Sequence, residues 1–236
     1  MSVVRRPAVP VALMLLAACA PEAAPPAAES TGLPPGVEAI SLLGDTLRPA
    51  APSGAAAETF AARLAEARAD YERDPENVEH VIWLGRRTAY PGQYREAIRI
   101  YTDGIAKWPD DARLWRHRGH RWISVREFDR AIEDFRTAAR LTAGQPDEVE
   151  PDGLPNARNI PTSTLQGNIW YHLGLAHYLK GDLDSALAAY RHDLGLATNP
   201  DMRVATSHWL YMTLRRLGRA DEAAEVLTPI TADMDI

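Results

Sequence analysis

Histidines are the first residues in this 236-residue chain whose spacing could do chemistry. His117 and His120 stand three apart, and His172 and His177 recur in a later stretch of similar character. Two histidines on one helical face can share a metal ion, so a metal-dependent hydrolase using the histidines of these stretches is one reading. The surrounding pattern does not support it. There is no HExxH pair or comparable carboxylate spacing, and no GxSxG, phosphate-loop or GxGxxG motif. His177 falls on a packing position and His120 on an outward one, so the two face different ways. No catalytic residue, metal site or cofactor is expected. Lysine is nearly absent (Lys107 and Lys180) while arginine is abundant, and the net charge is −6. A nucleic-acid binder would show a basic excess, so nucleic acid is not an expected partner.

The single cysteine, Cys19, follows a charged start (Arg5, Arg6) and a short apolar run, Val11 to Leu16. That order reads as a secretory signal, too short to span a bilayer. The segment Leu16-Ala17-Ala18-Cys19 resembles the bacterial lipobox. The resemblance implies cleavage after residue 18, lipidation of Cys19, and, with Ala20 in place of Asp, delivery to the periplasmic face of the outer membrane in a bacterial cell envelope. Loss of Arg5 and Arg6 leaves 24 basic against 32 acidic residues, a mature charge of −8. Residues 19–57 are rich in Pro and Ala and read as a flexible tether. Within it, Val37, Ile40, Leu42, Leu43 and Leu47 form a short apolar patch that either docks or collapses locally.

The elements that would position any site are repetitive. Gly85, Gly119 and Gly174, with Tyr211 in a fourth copy, are each followed 12 residues later by Ala97, Ala131, Ala186 and Ala223. Four residues after each alanine comes a large apolar residue: Tyr101, Phe135, Tyr190 and Leu227. The copies step by 34, 55 and 37, so additional residues fall between repeats and never inside one. With Trp115, Trp122, Trp170 and Pro109, this pattern resembles the tetratricopeptide repeat family. Arg118 in place of the usual Leu is a departure.

The resemblance implies an all-α, right-handed helical-hairpin solenoid of about four repeats. These cover about 78–111, 112–145, 167–200 and 204–236. An additional helix from Glu58 to Glu72 would cover the exposed end, giving a solenoid over 58–236. The glycine lets paired helices approach closely, with the later alanine as reciprocal contact. Asp111 offers a cap to the next helix, and Thr162-Ser163 to the helix carrying Trp170. Residues 146–166 form an acidic, proline-rich insertion, either a tolerated loop or a cover for the binding face.

In this family the first helix of each repeat lines the concave surface. Positions outside the anchors give Glu79, Ile82, Arg86 and Tyr90, then Arg113, Arg116, His120 and Ser124. The third and fourth copies give Asn168, Tyr171, Leu175 and Tyr178, then His208, Met212, Arg215 and Arg216. Five arginines and two histidines stand there against one glutamate, in an acidic chain. Guanidinium forks capture carboxylates in pairs, and tyrosines add rigid contact area. The expectation is a membrane-tethered scaffold whose basic, aromatic groove holds a protein or peptide with an acidic or carboxylate-bearing segment.

Overall fold

Stretches of 8 to 20 residues, bounded by capping and turn residues, fold as helices throughout the body of the chain. The computed structural model describes residues 32–151, 153, 159 and 161–234; the expected signal segment and Cys19 lie outside the described residues. The helices are α1 (Gly54–Arg73), α2 (Val78–Ala89), α3 (Tyr94–Lys107), α4 (Ala112–Ser124) and α5 (Phe128–Leu141). After the insertion come α6 (Leu165–Lys180), α7 (Leu183–Leu196), α8 (Pro200–Arg216) and α9 (Ala220–Leu227). A small antiparallel hairpin, β1 (Ala39–Ile40) with β2 (Thr46–Leu47), precedes them, Ala39 facing Leu47.

Each helix packs on the next along the chain, and α2, α4, α6 and α8 also touch their alternate neighbours. This is an all-α helical-hairpin solenoid, with those four helices forming the inner wall. No hairpin could bury its apolar face alone; stacking makes the core continuous. The insertion does not interrupt the stack, because α5 packs directly against α6. Among the described residues no helix is long and apolar enough to cross a membrane.

The anchors work through ring packing. A Cβ at Gly85 would fall 2.4 Å from the Tyr101 ring, and one at Gly174 2.6 Å from Tyr190. At Gly119 the obstacle is Phe135 at 3.0 Å. The reciprocal contact is therefore the aromatic residue, not the alanine four residues before it. Ala97, Ala131, Ala186 and Ala223 are instead fully buried in the core. The reason is volume: only a flat ring fills the notch that a missing side chain leaves.

Asn77, Asp111, Thr164, Asp182 and Asn199 each accept a backbone N–H of the following helix through the side chain. Asp111 caps as its sequence position implies. For α6 the cap is Thr164, one residue beyond the Thr162-Ser163 pair, and it holds the Gly167 N–H at 3.2 Å. Arg118, the departure at a Leu position, forms a two-pronged ion pair with Asp134, both bonds 2.8 Å, and lies over the Trp115 ring. The polar substitution is thus neutralised by a carboxylate on the partner helix.

The turns inside the hairpins need a left-handed residue. Gly92, Gly181 and Gly218 supply it, and in the second hairpin Arg126 occupies the equivalent place at φ 69°. Left-handed backbone costs a non-glycine residue roughly 1–2 kcal/mol.

From Val37 onward the proline-rich segment lies on the solenoid. Val37 and Ala39 are buried, and Leu47 packs against the core. The Arg95 backbone N–H donates to Glu38 Oε2, and Arg95 Nε donates to the Glu38 carbonyl. Leu42 and Leu43 stay exposed, Leu43 at 91%. Helix α1 also begins at Gly54, four residues ahead of Glu58.

Candidate functional site

The inner wall divides into two halves with opposite character. In the half built by α2, α4 and the start of α6, the acidic insertion lies across the wall. Val149 bridges Thr164 in antiparallel fashion. The Glu150 N–H donates to the Ser163 carbonyl at 3.0 Å, and the Leu165 N–H to that of Glu148 at 2.8 Å. This short ladder fixes the Glu150 side chain over α4. Arg116 Nη2 donates to Glu150 Oε2 at 2.7 Å, and Asn168 Nδ2 donates to the same oxygen at 2.6 Å.

Arg116, expected on an exposed groove position, is therefore buried, with only 8% of its surface exposed. Its neighbours are engaged by the same segment. Arg86 Nη1 donates to the Pro151 carbonyl at 2.9 Å, and Arg87 and Arg63 both donate to that of Gly153. Tyr90 stacks on Phe60 and lies against Gly153. Arg113 pairs with Asp111 and with Glu79. Ile82 is buried in the core and does not face a groove. Ser124 turns its hydroxyl back to donate to the His120 carbonyl.

The histidines of this half are packed groups. His117 stacks on Tyr101, and the His120 ring lies 4.2 Å from that of His172, centre to centre. His172 Nδ1 is 2.7 Å from the Asn168 carbonyl. Burial pushes all three pKa values down, with Arg116 beside His117 and His172, and Arg121 beside His120, acting in the same direction. For His172 the value falls to about 3. All three are neutral at pH 7. Among the described residues no group of three or more His, Cys, Asp or Glu side chains is placed to hold a metal ion. His177 is buried beside Asp182, away from the other three.

In the half built by α6 and α8 no chain segment covers the wall among the described residues. Trp209 Nε1 donates to the Tyr171 hydroxyl at 2.7 Å, and Tyr178 meets the Trp209 ring edge-on at 5.2 Å. The Arg216 guanidinium lies 4.6 Å above Tyr178, and His208 stands edge-on to Trp209. His208, Arg215 and Arg216 are exposed, and Leu175 and Met212 are half-buried. This is a shelf of fixed rings edged by cations.

Three residues of the wall escape the anchor-based reading. Trp209 sits two residues before Tyr211, and that position carries a ring in every copy: Trp83, His117, His172 and Trp209. Arg121 sits two after Gly119, where the first repeat carries Arg87. Glu150 had no positional signal, because its placement depends on how the insertion folds back.

The tetratricopeptide repeat family model matches residues 84–146 and 165–192. Solved structures of similar fold include the crystal structure of MamA, with a TM-score of 0.55 at 20% identity over 72% of this chain and 85% of that one. A thermophilic TPR protein in Thermus thermophilus gives 0.53 at 20% identity over 75% and 86%. At these identities the likeness concerns the fold alone. No curated protein matches the chain.

Proposed function

We propose that this chain is a protein- or peptide-binding scaffold of the bacterial cell envelope, anchored through a lipid on Cys19 to the periplasmic face of the outer membrane. The observation that carries the reading is the uncovered half of the inner wall. Tyr171, Tyr178 and Trp209 are held in fixed orientations there, beside exposed Arg215, Arg216 and His208. Rigid rings give contact area at little entropic cost, and guanidinium groups give pairing with carboxylates. The partner is a protein or peptide bearing an acidic or carboxylate-rich segment. Solenoids of this kind present extended inner surfaces to their ligands, which supports binding as the role. Arg86, Tyr90, Arg113, Arg116 and His120 are committed to internal contacts and are assigned no direct part in that capture.

The test is crosslinking in cells followed by identification of the captured protein, in wild type and in Arg215→Glu with Arg216→Glu. Loss of the partner with unchanged helical content and melting supports the shelf. Undiminished capture refutes it. The anchor is tested separately with Cys19→Ser: a variant that still fractionates with membranes refutes lipidation.

A further inference from the structure

The two most exposed large apolar side chains among the described residues stand side by side: Leu43 at 91% and Leu42 at 73%. They form the tip of the β1–β2 hairpin, and Ile40 on β1 is exposed next to them. The hairpin cannot turn them inward, because its other side is fastened to the solenoid. Val37 and Ala39 are buried, Leu47 packs on the core, and Glu38 accepts from Arg95 through both side chain and backbone. Just beyond β2, Pro49 lies so close over Gly92 that a Cβ there would fall 2.2 Å from it.

The backbone of the tip suits a medium without water. The Ser41 hydroxyl accepts the Leu43 N–H at 3.2 Å and the Asp45 N–H at 3.0 Å. The Ser41 carbonyl accepts the Gly44 N–H at 3.0 Å, and the Ser41 N–H donates to the Asp45 carbonyl at 2.7 Å. Donors satisfied inside the turn carry no penalty on leaving water. Position along the chain says what that medium is. Residues 20–31 separate Cys19 from Gly32, where the described residues begin, and such a stretch spans at most about 45 Å. With Cys19 lipidated, the chain entering the hairpin stays within that distance of a bilayer surface. A tethered contact is intramolecular in effect, so even a small apolar tip is used.

We infer that Leu42 and Leu43 dip into the bilayer that holds the lipid of Cys19. The hairpin is then a second membrane contact, made with the boundary between headgroups and acyl chains, where exposed apolar side chains gain most from leaving water. One lipid leaves the chain free to swivel; a fastened hairpin in the same leaflet restricts how the solenoid is presented. The inference rests on the lipidation proposed above and is independent of partner capture by the open shelf.

The experiment uses the full chain, purified from membranes and reconstituted on vesicles of phosphatidylethanolamine with a minor share of phosphatidylglycerol. The chain has one cysteine, which carries the lipid, so the thiol of Leu43→Cys alone takes a polarity-sensitive dye. Ala51→Cys, exposed on the same segment beyond the hairpin, is the control. Emission at 43 should shift to the blue and be quenched by lipids with a nitroxide on the acyl chain, several-fold more strongly than at 51. Adding Leu42→Ser should weaken that quenching with unchanged helical content. Equal quenching at 43 and 51 on vesicle-bound chain overturns the inference and leaves the anchor standing. Quenching indifferent to Leu42→Ser means that the dye inserts by itself, and overturns it too. A blue shift without nitroxide quenching assigns the tip to a second copy of the chain and overturns the bilayer contact. Chain that leaves the vesicles and takes two dyes refutes lipidation, and the inference with it.

Discussion

The two halves of the inner wall use the same helix positions and the same residue types, yet they meet opposite fates. Around α2 and α4 the arginines are engaged by Glu150 and by the Pro151 and Gly153 carbonyls, and the rings pack inward. Around α6 and α8 the arginines end in solvent above rings that hold one another in place. What separates them is the segment between the second and third hairpins. A short stretch of chain placed over one half converts a surface into an interior. The lesson is that a charge count over a solenoid wall does not give its binding character until the loops are placed.

The comparison can be broken by removing one charge at a time. A reference is Asp134, whose pair with Arg118 is buried between α4 and α5. Asp134→Ala should lose about 3–5 kcal/mol in urea unfolding, since it strands a buried guanidinium. On the covered half, Glu150→Ala should lose about 3 kcal/mol for the same reason, since it strands Arg116. On the open half, Arg216→Ala removes only an exposed contact with Tyr178, worth about 0.5–1 kcal/mol. Equal losses for Glu150→Ala and Arg216→Ala would erase the distinction between the halves.

Acid should act through the covered half. An unfolded histidine takes up its proton near pH 6.5, whereas folded His172 does so only at about 3. The unfolded state therefore binds protons first, and stability present above about pH 6.5 is lost as the pH falls toward 3. Between pH 7.5 and 5.5 the wild type should lose about 1 kcal/mol more than His172→Phe, read from urea midpoints at the two pH values. Identical pH slopes would mean that His172 is solvated. A last effect, a gain and not a loss, concerns neither half. Arg126→Gly relieves left-handed backbone at φ 69° but gives up the guanidinium's hydrogen bonds to the Ile123 and Ser124 carbonyls. A net gain of about 0.5–1 kcal/mol is expected, seen as a rise in Tm.

Much of the architecture was legible because it is local. The interval of 12 between Gly119 and Ala131, and the ring at Phe135, dictate a hairpin through packing that involves only neighbouring helices. Asp111 was readable as a cap for the same reason, since a cap acts within three residues of its own position. The site was less legible. Spacing placed Arg116 on the inner wall, but exposure there depends on Glu150, 34 residues away. Arg121 and Trp209 could have been found from the two-residue offsets they share with Arg87 and Trp83.

By itself, then, the sequence determined the helical repeat, the interruption between the second and third hairpins, and the basic and aromatic make-up of one wall. These follow from periodicity and from contacts between adjacent elements. Only the tertiary structure decided which half of that wall is covered, and that Arg116 is buried against Glu150. The physical reason is that a proline-rich loop has no period. Its resting place is set by the charges it meets on helices distant in the chain, and no local pattern records that meeting.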